Sequence, residues 1–96
     1  MPQYAVLVTW TEEGIRTVKT APARAEEFLR AVAGVGGKVL AFVHTMGVYD
    51  AVLILDLPSD EVANTLLLRL GSDGTVRTTT LKGWSSEEFA RLVERV

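Results

Sequence analysis

Hydrophobic residues recur along the chain with two different periods, and the switches between them mark its elements. Tyr4 to Trp10 (YAVLVTW) is a short, β-branched apolar run that predicts a strand. Ala5 and Leu7 belong to one face and Tyr4, Val6, Val8 and Trp10 to the other, so both faces are apolar, as in a central strand covered on both sides. Thr11 caps a short helical turn through Glu12, Glu13 and Ile15. A first main helix starts near Pro22, with Ala25, Phe28, Leu29 and Val32 at i, i+3, i+4 and i+7. Arg24, Glu27 and Arg30 are read as lying mostly away from that stripe, and Gly34 as the left-handed cap. The stretch from Gly36 to Pro58 then reads as two strands, Lys38–Thr45 and Asp50–Asp56. A tight turn at Met46-Gly47-Val48-Tyr49 joins them, with Tyr49-Asp50 opening the second.

Pro58 and Ser59-Asp60 break the strand and cap a second main helix. Val62, Ala63, Leu66, Leu67 and Leu70 form its apolar stripe and Gly71 is read as its end. Thr75 to Leu81 (TVRTTTL) is β-prone but polar, which suits an edge strand. A terminal helix follows, with Ser85 and Glu88 as a capping box and Trp84 against Phe89 as a hydrophobic staple. Its apolar face is Phe89, Leu92, Val93 and Val96. The order predicts an α+β, ferredoxin-like βαββαβ fold: an antiparallel four-stranded sheet plus a C-terminal helix. The first and third strands are expected side by side at the centre, read as parallel to one another, with the second and fourth as edges. Right-handed crossovers put both main helices on one face of the sheet.

One narrow terminal helix is then all that is left to cover the opposite apolar face. Soluble monomers avoid a bare patch of that kind, and a second copy laid sheet against sheet covers it economically. The expected partner is therefore the chain itself. The competing reading is that the terminal helix and long side chains such as Arg77 and Lys82 suffice.

Composition narrows the function. Residues 1–96 are expected to form one domain, long enough to bury roughly 60–68% of the unfolded surface. The chain has no cysteine, which excludes disulfides, thiolate metal sites and thiol catalysis. Ten basic and twelve acidic residues are scattered without a basic cluster, so nucleic acid is not an expected partner. Met1-Pro2-Gln3-Tyr4 is not a signal peptide, and the aliphatic run Ala51–Leu55 is too short to cross a bilayer. The expected location is the cytoplasm.

With these elements in place, the chain resembles the GYD-domain family of small uncharacterised proteins. The resemblance is carried by Trp10-Thr11 with Gly14-Ile15-Arg16, by Gly36-Gly37-Lys38-Val39, and by Thr45-Met46-Gly47-Val48-Tyr49-Asp50. Pro58, Leu70-Gly71-Ser72 and Val76-Arg77-Thr78 extend it over nearly the whole chain. Val48 separates the glycine from the Tyr-Asp pair. The resemblance implies a fold of the dimeric α/β-barrel type and an oligomer. It brings no established reaction, and hence no catalytic residue or cofactor. Cofactor-free monooxygenases share the fold, which does not fix function.

Candidate chemistry is sparse. Tyr49 beside Asp50 can orient a polar substrate or pass a proton, but the same Gly47–Asp50 stretch is explained by turn chemistry. His44, the single histidine, would serve as a general base if Asp50 faced it across the hairpin; alternatively it is a hydrogen-bonded structural residue. No second histidine or cysteine supports it as a metal ligand. Trp10 can line a cleft between sheet and helices, and Arg77 can bind a carboxylate or pair across a subunit contact. Gly34-Val35-Gly36-Gly37 follows a helix rather than a strand, so it is not a phosphate loop. Three functional readings result: a small-ligand-binding or interaction module, a cofactor-free enzyme on a small aromatic or carbonyl compound using His44, Tyr49 and Asp50, or a purely structural or subunit-assembly protein with no pocket.

Overall fold

Strand β1, Gln3–Trp10, buries every second residue, and the rest of the molecule is laid around it. The computed structural model describes residues 1–96. β1 is followed by the short helix α1 (Glu12–Arg16), a single 3-10 turn (Val18–Thr20) and the long helix α2 (Ala21–Gly34). The hairpin β2 (Lys38–His44) and β3 (Ala51–Asp56) leads into α3 (Asp60–Ser72), the edge strand β4 (Val76–Gly83) and α4 (Ser86–Val93). The sheet order is β2-β3-β1-β4, so the two most aliphatic strands are central and the threonine-rich strand is an edge.

The central pair differs from expectation in direction. β1 and β3 run antiparallel, with Val6 opposite Leu53 and Ala5 opposite Ile54. The cause is topological. The helical crossover returns the chain so that β2 runs in the direction of β1, and the hairpin then reverses it before β3 is laid beside β1. All neighbouring strands are consequently antiparallel.

The helix-facing side carries the core. Tyr4, Val6 and Val8 of β1 and Ala51, Leu53 and Leu55 of β3 are buried with Val32 of α2 and Ala63 and Leu66 of α3. Leu55, Leu57, Val6 and Val32 are the largest fully buried side chains. α1 enters this layer at one point. Thr11 caps it by accepting the Gly14 N–H at 3.0 Å, and the Thr11 N–H donates to the Thr75 carbonyl at 3.1 Å. A Cβ on Gly14 would lie 1.8 Å from that same carbonyl oxygen, so only glycine allows α1 to dock on the start of β4.

Element ends shift in physically informative ways. Gly34 remains in the last helical turn, and the left-handed residue is Gly36, with φ 79°. The Gly37 N–H still reaches the Val32 carbonyl at 2.9 Å, so the chain turns two residues later than Gly34. α3 likewise runs through Gly71 to Ser72, and the left-handed position is Gly74. The hairpin connection is not a tight turn. Pairing stops at His44–Ala51, leaving Thr45–Asp50 as a loop, so Tyr49 and Asp50 precede β3. β2 also contains an irregularity between Val39 and Ala41 that leaves Leu40 unpaired and half exposed.

The other side of the sheet has no cover. Its register places Ala5, Leu7 and Thr9 of β1, Val52 and Ile54 of β3, Ala41 and Val43 of β2, and Arg77, Thr79 and Leu81 of β4 on that face. Val43 and Leu81 are more than half exposed. α4 has the capping box, with the Glu88 N–H donating to Ser85 Oγ and the Ser85 N–H to Glu88 Oε1. Yet it buries no residue and packs on no other element to any extent. Trp84 and Phe89 stay more than half exposed. The molecule is 18 Å thin along its shortest axis, which is one sheet and one helix layer. No helix is long and apolar enough to cross a membrane.

Candidate functional site

The helix-facing side of the sheet is not packed shut along its whole length. Between β1–β3–β2 and the helices α2 and α3 lies a cleft of about 230 Å³. Val6, Val8, Trp10, Phe28, Phe42 and Leu53 supply apolar wall, and Arg24, Glu27, His44, Arg69 and Asp73 supply charge or polarity. Wall and charge come from different elements because the strand period is two and the helix period 3.6. Successive inward residues of β1 reach Trp10, while α2 brings round Ala21, Arg24, Ala25, Phe28 and Ala31.

Trp10 is held at the end of β1 by its neighbours. Its N–H donates to Asp50 Oδ2 at 2.8 Å, and the Asp50 N–H donates to the Val8 carbonyl at 2.8 Å. Asp50 thereby extends the β1–β3 ladder with its side chain and fixes where the loop re-enters the sheet. Within the loop the Thr45 hydroxyl donates to the Tyr49 carbonyl at 2.6 Å, and the Thr45 N–H to the Asp50 carbonyl at 2.9 Å.

These contacts sort the residues singled out from the sequence. His44 and Trp10 both line the cleft. The imidazole packs against Phe42, with ring centroids 4.8 Å apart and planes tilted by 42°. Tyr49 and Asp50 do not line it, and no hydrogen bond joins His44 to Asp50, whose carboxylate is engaged by Trp10. Arg77 is remote, opposite Thr9 on the β4 edge and beside a shallow groove against α3. No three of His, Asp and Glu come together as a metal site.

Arg24 and Glu27, which the helical periodicity places away from the stripe, and Arg69 of α3 line the cleft as well. Arg24 nonetheless lies three residues after Ala21 and four before Phe28, on the inner stripe. Its Nη1 donates to the Thr17 carbonyl at 3.4 Å and to the Thr20 hydroxyl, while Nη2 is buried without a hydrogen-bond partner. Arg69, three residues after the buried Leu66, reaches the same cleft from α3.

The displaced acid–base equilibria lie elsewhere. Burial, then the bond to Asp60, pushes the Tyr4 phenol up to about 12. The Tyr4 hydroxyl donates to Asp60 Oδ1 at 2.5 Å and Lys82 Nζ donates to Asp60 Oδ2 at 3.1 Å, which together hold the Asp60 carboxyl below the usual range. The Glu88 carboxyl is lowered by the Ser85 N–H and hydroxyl. Both sites have a structural explanation, as a tie between β1, α3 and β4 and as a helix cap.

Known proteins agree with this architecture. A Thermus thermophilus protein known as the glutamine synthetase and cystathionine beta-lyase binding protein is 31% identical over 83 residues, 85% of this chain and 87% of its own length. The fold matches the feast or famine regulatory protein of Mycobacterium tuberculosis, solved with L-methionine, at TM-score 0.66 and 21% identity over 90% of this chain. It also matches that organism's leucine response regulatory protein at TM-score 0.57 and 15% identity over 88% of this chain. The chain spans about half the length of those two regulators, 52% and 51%. The GYD domain model matches residues 4–93, and the chain belongs to the GYD-domain family.

Proposed function

We propose that this chain is a homo-oligomeric binding module, assembled through the bare sheet face, with a small-ligand cleft between sheet and helices in each protomer. The observation that carries the assembly is an apolar sheet face that α4 of the same chain leaves open. Four strands spaced by about 4.8 Å, each contributing about seven residues of about 3.3 Å, give a face of roughly 450 Å². That lies within the roughly 300–600 Å² of a monomer's largest surface patch, which is often an interaction site, and supplies over half of the roughly 800 Å² per partner of a stable interface. The exposed apolar residues of α4, Phe89, Leu92, Val93 and Val96, add to it. The Thermus relative, by its name, binds two enzymes, which supports a role in binding proteins as well.

A binding role is favoured over a cofactor-free enzyme, because His44, Tyr49 and Asp50 do not share one cavity. The test substitutes Leu7→Lys and Ile54→Lys together on the back face. The expected result is a folded protein by circular dichroism whose mass in light scattering drops to that of one chain. A folded double variant with the wild-type oligomeric mass would remove the sheet face from the assembly.

A further inference from the structure

We infer that the cleft binds a small apolar monocarboxylate whose carboxylate is received by Arg24; the inference rests on reading the cleft as a ligand site. Three observations select this class. The first is the guanidinium itself. Nη1 is tethered to the Thr17 carbonyl and the Thr20 hydroxyl, which fixes the group in the wall of the cleft. Arg24 makes no salt bridge within the chain, and a carboxylate is the anion that suits a guanidinium best.

The second observation is the balance of charge. Arg24 and Arg69 line the cleft together with Glu27 and Asp73. Two acidic groups beside two basic ones give this lining no net charge, which disfavours a multiply charged anion such as a phosphate dianion. The third is size and lining. Trp10, Phe28 and Phe42 present aromatic surface around a volume of about 230 Å³. That is below the roughly 300–1,000 Å³ of pockets for drug-sized ligands, so it fits a short aryl or alkyl tail.

The probes are 3-phenylpropionate and its neutral amide, 3-phenylpropionamide, titrated calorimetrically into the full chain. The carboxylate is expected to bind with saturation and the amide roughly ten- to a hundredfold more weakly, the usual range for losing a charge-assisted hydrogen bond. Arg24→Gln is expected to weaken the carboxylate by a similar factor and leave the amide unchanged. Equal binding of acid and amide to the wild type would overturn the carboxylate assignment while keeping the cleft as a ligand site. Unchanged carboxylate affinity in a folded Arg24→Gln variant would also overturn it. Saturable binding of neither compound would overturn both readings of the cleft. Should Arg24→Gln not fold, the wild-type acid–amide comparison decides alone.

Discussion

The two faces of the one sheet have nearly the same chemistry and opposite fates. On one, Val6, Leu53 and Leu55 lie under α2 and α3 with almost no exposure. On the other, Leu7, Val52 and Ile54 alternate with them along the same strands, and no element of the chain lies over them. Apolar side chains alone do not decide which face becomes core. The handedness of two crossovers does, because it sends both long helices to one side. The bare face is thus a product of topology, and its aliphatic residues make sense once a second layer arrives from outside.

The sharpest probe of this contrast is the pair Leu55→Ala and Ile54→Ala, neighbours in β3 that face opposite ways. Leu55→Ala opens a cavity beneath the helices and is expected to cost about 3–5 kcal/mol in urea unfolding. Ile54→Ala is expected to cost a comparable amount at high protein concentration and only about 1 kcal/mol where the assembly has dissociated. A small, concentration-independent cost at Ile54 would break the comparison. Gly14→Ala ranks next, at about 3 kcal/mol, because its methyl meets the Thr75 carbonyl within the covered layer. Its unfolding midpoint would show this directly.

Tyr4→Phe should cost about 1–2 kcal/mol through loss of the bond to Asp60. The pH dependence has a definite sign on both sides. With the phenol raised from its ordinary 10.0 to about 12, its contribution is complete below pH 10 and is lost as pH rises through 12. The Asp60 carboxyl is lowered, so its contribution holds above the ordinary carboxylate range and is lost as pH falls through its folded value. Urea titrations of wild type and Tyr4→Phe across pH should therefore converge at high pH. The smallest effect belongs to Ser85→Ala, which removes the cap of α4 and should reduce helicity by circular dichroism at a cost of about 1 kcal/mol.

Much of this architecture was legible in the sequence because it rests on local rules. Thr11, Ser59 and Ser85 all cap their helices, and the polar Thr78-Thr79-Thr80 run is an edge. What local pattern misses is where the chain must turn in space. Gly34 and Gly71 mark the right neighbourhoods, but Gly36 and Gly74 adopt the left-handed conformation, since helices run on while their carbonyls still find partners. The direction of β3 follows from counting reversals and is invisible to periodicity. Arg24 shows the limit most clearly: a charged residue on an apolar stripe reads as solvated until tertiary packing closes the wall around its stem. Asp50 shows the converse, a carboxylate with a catalytic look that the fold spends on a backbone N–H.

The most direct test is the mass of the wild-type chain in solution, by light scattering at two concentrations. A particle of two or more times 10.5 kDa at the higher concentration is the result expected of a sheet roofed by another copy. A mass of 10.5 kDa at both would contradict it.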